Sequence, residues 1–436
     1  MVATKTIPRT LARNVSHHLN QRVRLQGWVH AVRAHGNVSF IVLRDRSGTV
    51  QTVLGRRLER PLSPESVVEL LGTVVPEPRA PQGCEVHLDA LEVVQSPQGT
   101  PPLELNKPLD ALGVRLETLL DHRVLSLRHP EIHPVFALQS EIIWAFREFL
   151  RGEGFCEIHT PKLSATGTEG GTALFPVQYF ERTAYLAQSP QFYKQMLVGA
   201  GYERVYEVGP VFRAESHNTS RHLNEYTSLD VELGFIAGLD DLLELESRLL
   251  QAVFTHAAGR CAEAFEALGV PIPRVPERIP RYTLAEAAAA LKKAYGKTVD
   301  GDLDTEAERL LCDIAMKEHG SEFAFVTRYP REVRPMYAQP DPQDPALTAS
   351  FDLLYRGLEI TTGGQRIHDP ALLEASIRGR GLDPAAFEFY LETFRIGMPP
   401  HGGFAIGAER LTMLMLGLSN VRQATLFPRD RTRIEP

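Results

Sequence analysis

The chain has 436 residues, 43% hydrophobic and 23% charged, which are globular proportions that exclude wholesale disorder and point to about three domains, or two large ones. Its 47 Lys+Arg against 54 Asp+Glu give a formal charge of −7, which disfavours a uniformly basic nucleic-acid coat protein. Cys84, Cys156, Cys261 and Cys312 show no CxxC spacing, and no apolar run approaches the roughly 18 residues of a membrane span. A disulfide framework, a zinc knuckle and a membrane protein are therefore not expected; a reducing cytoplasm is, and the N-terminal stretch lacks a signal-peptide core.

Charge is unevenly spread. Residues 1–57 hold ten Lys/Arg and one acid, Asp45, for a charge of +9, which leaves −16 on the remaining 379 residues. An Arg-rich start without acids is a feature of transit peptides. Against that, Arg22–Arg33 and Val38–Val53 alternate like strands around Trp28 and Phe40. Turn signals at His35-Gly36-Asn37 and Asp45-Arg46-Ser47-Gly48 interrupt them. Val67–Val75 and Glu85–Val94 continue the pattern, so residues 1–95 read as a five-stranded barrel of OB type, with a plain all-β domain as the alternative. Such barrels hold single-stranded nucleic acid on basic and aromatic residues of one face. Ser96–Pro102 is rich in Pro and Gly, and residues 96–111 read as a linker or hinge before a larger domain at 112–436. There, His133–Glu153, Leu239–Ala267, Leu284–Leu291 and Thr305–Glu318 have helical apolar spacing, and Pro271–Pro280 is a rigid connector.

Four stretches concentrate polar residues beyond what a core needs. The first is Ser189–Gln195, after a Gly/Thr-rich loop at 165–172 that would let backbone approach a ligand. The second runs Phe212-Arg213-Ala214-Glu215, Arg221–Tyr226, then Asp230-Val231-Glu232. Asp230 and Glu232, two apart on a strand, face one side, and buried they would need cations or a polar ligand; a solvated strand face is the alternative. In the third, Asp352 and Glu359 can meet across a hairpin, and two carboxylates with phosphate oxygens suit Mg²⁺. The fourth, Gly402–Leu411, leads into an apolar helix at Leu411–Leu418. Arg410 in its first turn opposes the helix dipole unless an anionic ligand compensates.

These residues carry a family resemblance. Phe212–Glu215 with Arg221–Tyr226 resembles motif 2 of class II aminoacyl-tRNA synthetases. Gly407–Leu411 resembles motif 3, and Gly154-Phe155 through Thr160-Pro161-Lys162 resembles motif 1 with its dimer-forming helix. Their order, with a barrel in front, is similar to subclass IIb (the aspartyl, asparaginyl and lysyl enzymes). With no domain-sized insertion between motifs 2 and 3, the chain most resembles the archaeal-type aspartyl enzymes, over essentially its whole length. The implied fold is α+β: an N-terminal OB-fold anticodon-binding barrel, then a catalytic domain with an antiparallel sheet flanked by helices.

The resemblance implies ATP- and Mg²⁺-dependent aspartate–tRNA ligation in a cytoplasmic homodimer. Arg213 and Arg410 would be catalytic. Arg213 would hold the aspartate α-carboxylate and the ATP α-phosphate, and Arg410 would stack on adenine and reach the γ-phosphate. Glu215, Arg221, His222, Leu223, Tyr226 and Glu359 would complete the ATP site, with Asp352 and Glu359 as Mg²⁺ ligands. Arg366 would take the aspartate side-chain carboxylate with Lys194 beside it, while Glu169, Gln191 and Asp230 would meet the α-ammonium. In the barrel, Phe40 would stack on an anticodon base while Arg33 and Gln51 read base edges. His30 and Pro81 stand where enzymes restricted to tRNA(Asp) tend to carry Trp and Lys. This pair resembles the nondiscriminating kind, which also charges tRNA(Asn) and implies a tRNA-dependent amidotransferase; neutral drift at both positions is the alternative. Rival readings are an asparagine–tRNA ligase, a tRNA-independent asparagine synthetase on the same fold, and a noncatalytic tRNA-binding paralogue.

Overall fold

A computed structural model describes residues 7–165 and 174–435, which divide into two compact units, Met1–His133 and Pro134–Pro436. In the first, β1 (Arg22–His35), β2 (Val38–Asp45), β3 (Gly48–Leu54), β4 (Val67–Pro76) and β5 (Cys84–Gln95) close a barrel in the order β1-β2-β3-β5-β4. The alternation read from the sequence is the packing: Val23, Leu25, Val29, Ile41, Leu43, Val50, Val68, Leu70, Val74 and Val86 point inward. A short 3₁₀ turn, Ala12–His18, adds Ala12 and Val15 to that core. Asp45, the one acid of the basic segment, is buried: it accepts from the amide N–H groups of Ala12 and Ser47, at 2.8 and 2.7 Å.

The charge of the barrel needs correcting. Over residues 1–95 there are twelve Lys/Arg against eight Asp/Glu, so the +9 of residues 1–57 falls to +4 once β4 and β5 are included. Acids from the later segments pair with the early arginines: Arg22 with Asp89, Arg24 with Glu69, and Arg44 with Glu65.

The second unit is built on an eight-stranded sheet. Its elements in chain order are α1 (His133–Gly152), β6 (Cys156–Glu157), α2 (Gln191–Leu197), β7 (Arg204–Phe212), β8 (Glu225–Gly234), α3 (Leu239–Arg260), β9 (Arg281–Thr283), α4 (Leu284–Tyr295), α5 (Thr305–His319), β10 (Phe323–Thr327), β11 (Ser350–Tyr355), β12 (Leu358–Arg366), β13 (His401–Gly407) and α6 (Ala408–Met415). The strand order is β9-β10-β11-β12-β13-β8-β7-β6, antiparallel through the middle and parallel at both edges. α1, α3 and α6 share the main core with the central strands. The expected single helix at 239–267 is two: α3 stops at Arg260, and Ala262–Ala267 starts again beyond Cys261, whose ψ of 22° is not helical. Apolar spacing persists across the break because Ala264 and Phe265 rejoin the same core, so periodicity alone conceals it. No described helix is long and apolar enough to cross a membrane.

Candidate active site

The polar stretches converge on one cavity of about 310 Å³ over the open face of β8, β12 and β13. It is lined by all the expected ATP-site residues, and by Gln191, Lys194, Asp230 and Arg366 from the expected aspartate set. Glu169 lies outside the described residues.

At one end the charges are buried and paired. Lys194, 2% exposed, donates from Nζ to Asp230 Oδ1 at 3.0 Å and sits 3.3 Å from Glu232 Oε2. Arg366 donates from Nε to Glu232 Oε1 at 3.0 Å and from Nη2 to the Gly403 carbonyl at 2.9 Å. Gln191 bridges the group, donating to Glu232 Oε2 at 3.4 Å and accepting from Arg366 at 3.5 Å. The expected inward pair Asp230 and Glu232 thus finds its two cations. Burial would raise the Glu232 carboxyl, but Arg366 and Lys194 outweigh it and hold the group below its ordinary range. Gly403 is required here: a Cβ would collide with the Val231 carbonyl and the Glu232 carboxylate. Arg366, expected to offer its whole fork to a ligand, has already spent its Nε and Nη2 on protein partners.

A neutral hydrogen-bond chain backs this end. His401 Nδ1 donates to the Pro399 carbonyl at 2.9 Å, so its Nε2 accepts from Gln195 Nε2 at 2.8 Å, and Tyr390 donates to Gln195 Oε1 at 2.9 Å. Burial drives His401 down to about 4, so it stays uncharged near neutrality. Lys194 and Arg366 against Asp230 and Glu232 make this end a balanced network of two cations and two anions.

The other end carries half-buried cations on shaped backbone. Asn224 donates from Nδ2 to the carbonyls of Arg213 (2.8 Å) and Glu215 (3.2 Å), fixing the strand-to-loop bend, and Arg213 lies 5.8 Å from the Tyr226 ring. Arg410 donates from Nη1 to the Glu359 carbonyl at 2.6 Å, and its neighbour Glu409 accepts from the Thr227 amide at 3.0 Å. Arg221 reaches Glu308 of α5 at 3.3 Å. Burial, then Glu359, pushes Glu308 up to about 7. His222 shares a 2.6 Å hydrogen bond with Thr219, and burial, then Arg221, lowers its pKa. Leu223 packs into the main core, so only its backbone can serve a nucleotide.

For a metal, the two expected ligands differ. Asp352 does not line the cavity: Arg334 grips both its oxygens, at 2.9 and 2.6 Å, in a buried pair. Register sets Asp352 opposite the cavity-lining Thr362, on the same face, and it is its partner Arg334 that lines the cavity instead. Glu359 does line the cavity, and Thr362 Oγ1 is 2.5 Å from its Oε1. Burial, then Asp352, raises the Glu359 carboxyl, a cost that a bound cation would relieve. No described cluster of three or more His/Cys/Asp/Glu can hold a metal by itself. Glu359 and Thr362 therefore fit Mg²⁺ that draws its remaining ligands from nucleotide phosphates and water.

Thr362, Glu308, Arg334 and His401 went unnamed in the sequence. Thr362 had no motif, Glu308 reads as the solvated face of an amphipathic helix, and Arg334 stands just before a proline-rich segment. Only His401, beside the Gly402-Gly403 stretch, carried a usable signal.

On the barrel, Arg33 lies directly opposite Phe40, and Gln51 opposite Val42, so Arg33, Phe40 and Gln51 share the outward face of β1, β2 and β3. Gln51 also donates to Glu85 at 2.8 Å. His30 is the extra residue of a bulge between Val29 and Ala31, and its Nδ1 accepts from Arg44 at 3.0 Å. Burial, then Arg44, lowers its pKa. Pro81 is exposed in the turn between β4 and β5.

Comparison with known proteins agrees with this geometry. Residues 115–431 match the family of tRNA synthetases class II (D, K and N), and residues 23–94 match an OB-fold nucleic acid binding domain. The aspartate–tRNA(Asp/Asn) ligase of Deinococcus radiodurans is 50% identical over 99% of this chain and 100% of its own length. The aspartate–tRNA(Asp) ligase of Pyrococcus abyssi is 42% identical over 97% and 98%. The solved asparaginyl-tRNA synthetase of Pyrococcus horikoshii with asparaginyl-adenylate superposes with a TM-score of 0.91 at 32% identity, covering 99% of this chain and 100% of that one. A barrel followed by the convergent charged cavity, matched over nearly the full length, makes this chain a member of the class II tRNA synthetases of the aspartate, lysine and asparagine group.

Proposed function

We propose that this enzyme attaches L-aspartate to tRNA(Asp), and also to tRNA(Asn), through an aspartyl-adenylate made from ATP. The observation that carries the reading is the pair of buried cations, Lys194 and Arg366, that line one end of the cavity. Aspartate brings a side-chain carboxylate to these two cations, while its ammonium meets Asp230. Asparagine offers them only a neutral amide in place of a charge-assisted contact, a loss of roughly 1.5–3 kcal/mol. The asparaginyl neighbour supports the shared fold; the two buried cations separate the substrates. The 50% identity with an aspartate–tRNA(Asp/Asn) ligase supports both the amino acid and the relaxed tRNA choice.

In the reaction, no side chain need act as nucleophile. Lys194 and the remaining face of Arg366 hold the side-chain carboxylate, and Asp230 and Gln191 the ammonium. Arg213 neutralises the α-carboxylate as it attacks the α-phosphate in line. Tyr226 and Arg410 sandwich the adenine, Glu215 and the 221–223 backbone grip its edge and the outer phosphates, and Glu359 with Thr362 would hold Mg²⁺. When bound, that ion supplies charge neutralisation on the phosphate oxygens. Arg33, Phe40 and Gln51 take the anticodon, and His30 and Pro81 leave room for both tRNAs. The assembly is a cytoplasmic homodimer, and a tRNA-dependent amidotransferase converts the Asp-tRNA(Asn) product. Pyrophosphate exchange tests the reading: it should depend on L-aspartate, and exchange driven instead by asparagine or lysine would overturn it.

A further inference from the structure

The segment beyond motif 3 has no role in the reading above, yet it makes a concentrated set of bonds to one loop. After α6, Asn420 caps a short 3₁₀ turn, Val421–Ala424, and the chain continues back along the loop 216–224 that joins β7 to β8. Val421 donates its amide to the Ser220 carbonyl at 2.8 Å and also lines the cavity. Arg422 donates from Nη1 to the Thr219 carbonyl at 3.1 Å and from Nη2 to Asn218 Oδ1. Asn224 donates its amide to the Arg429 carbonyl at 2.9 Å, and Arg431 donates to the Ser216 carbonyl at 3.0 Å. Arg422 is itself held by Asp430 at 2.6 Å, with both side chains under 10% exposed (9% and 8%). Asp430 is held in turn by the amides of Thr432 and Arg433, at 2.8 and 2.9 Å. On the other side, Gln139 of α1 donates to the Ala424 carbonyl at 2.9 Å.

The loop needs this support. Ser216–Ser220 is exposed and lies outside helix and strand, and Arg221, His222 and Leu223 follow it directly into the cavity wall. Ordering such a loop costs about 1–2 kcal/mol per residue, a cost taken from ligand affinity unless the protein has already met it.

We propose that residues 420–433 form a positioning strap that presets the 216–224 loop for ATP, with Arg422 as its central positioning residue. The proposal rests on the assignment of the 221–223 loop to ATP. Arg422 touches no substrate; it acts through the backbone that aims Arg221 and His222. Its guanidinium joins three points that a single-point donor cannot span, so Arg422→Lys should restore only part of what Arg422→Ala loses.

The test uses the full-length enzyme in pyrophosphate exchange with ATP and aspartate varied separately. Arg422→Ala should raise the KM for ATP by roughly tenfold, the loss expected for charge-assisted bonds, with Arg422→Lys in between. The KM for aspartate should change by roughly twofold or less. Amide hydrogen exchange should accelerate in peptides covering 214–224 but not in β12. An unchanged ATP KM, or ATP and aspartate KM rising together with a fall in Tm, would overturn the proposal. Should Arg422→Ala fail to fold, Arg431→Ala deletes only the exposed bond to Ser216 and should give a smaller rise in the same direction; no rise in it or in Arg422→Lys counts against the strap. If the wild-type protein does not activate aspartate, the proposed function fails, while the exchange rates of the loop still report on the strap.

Discussion

The amino-acid end of the cavity and the outward face of the barrel are built in opposite ways. In the cavity, Lys194, Arg366, Asp230 and Glu232 are buried and mutually bonded before any ligand arrives. On the barrel, Arg33 is exposed, Phe40 is half-buried, and His30 and Gln51 each hold one polar neighbour. A saturated, low-dielectric ion network punishes any ligand of the wrong charge, so it suits a choice between two amino acids that differ in charge. A half-exposed face of stacking and edge contacts tolerates more than one base, which suits a protein that takes two tRNAs.

The largest expected effect breaks the cavity side of this comparison. Arg366→Ala leaves Glu232 buried with one cation fewer and should lower kcat/KM for aspartate by about two to three powers of ten; a loss confined to ATP kinetics would contradict the assignment. Next, Glu359→Gln should cut exchange by roughly a hundredfold and raise the Mg²⁺ concentration required. Asp352→Asn should instead act mainly on stability, by about 2 kcal/mol, because it weakens the buried partner of Arg334. Equal Mg²⁺ dependence in the two variants would return Asp352 to the metal. On the barrel, His30→Trp with Pro81→Lys should reduce charging of tRNA(Asn) by about tenfold relative to tRNA(Asp), the size of one mismatched contact; equal losses on both tRNAs would show that the pair does not discriminate.

The smallest effect concerns Glu246 on α3, fully buried beside Thr361, whose carboxyl burial raises to about 8. The folded protein keeps a proton there that the unfolded chain releases near the ordinary carboxyl value of 4.5, so this group costs stability progressively as pH rises from about 4.5 to about 8. Glu246→Gln should therefore raise Tm at pH 8, by the equivalent of about 1 kcal/mol, and leave it nearly unchanged at pH 5. A uniform shift at both values would exclude titration as the cause.

Much of this was legible in the sequence, for definite reasons. Barrel strands announce themselves because one face of each is buried and turns need Gly, Asn or Asp, and motif residues sit in short contiguous runs. Pairings between distant residues were not legible. Nothing local to Asp352 marks it as the partner of Arg334, nor Arg422 as the clamp on Asn218 and Thr219, because such bonds are made only by the register of the sheet and the return of the chain. The +9 of the first 57 residues was similarly incomplete: the acids that offset it, Glu65, Glu69 and Asp89, lie one or two strands later and face the arginines only after the barrel closes.

The most direct measurement is aminoacylation of purified tRNA(Asp) and tRNA(Asn) transcripts by the wild-type enzyme, with labelled aspartate and labelled asparagine offered separately. Aspartate should be attached to both tRNAs at comparable rates and asparagine to neither. Attachment of asparagine would contradict the assignment of the two buried cations to a carboxylate, and attachment of aspartate to tRNA(Asp) alone would contradict the permissive barrel.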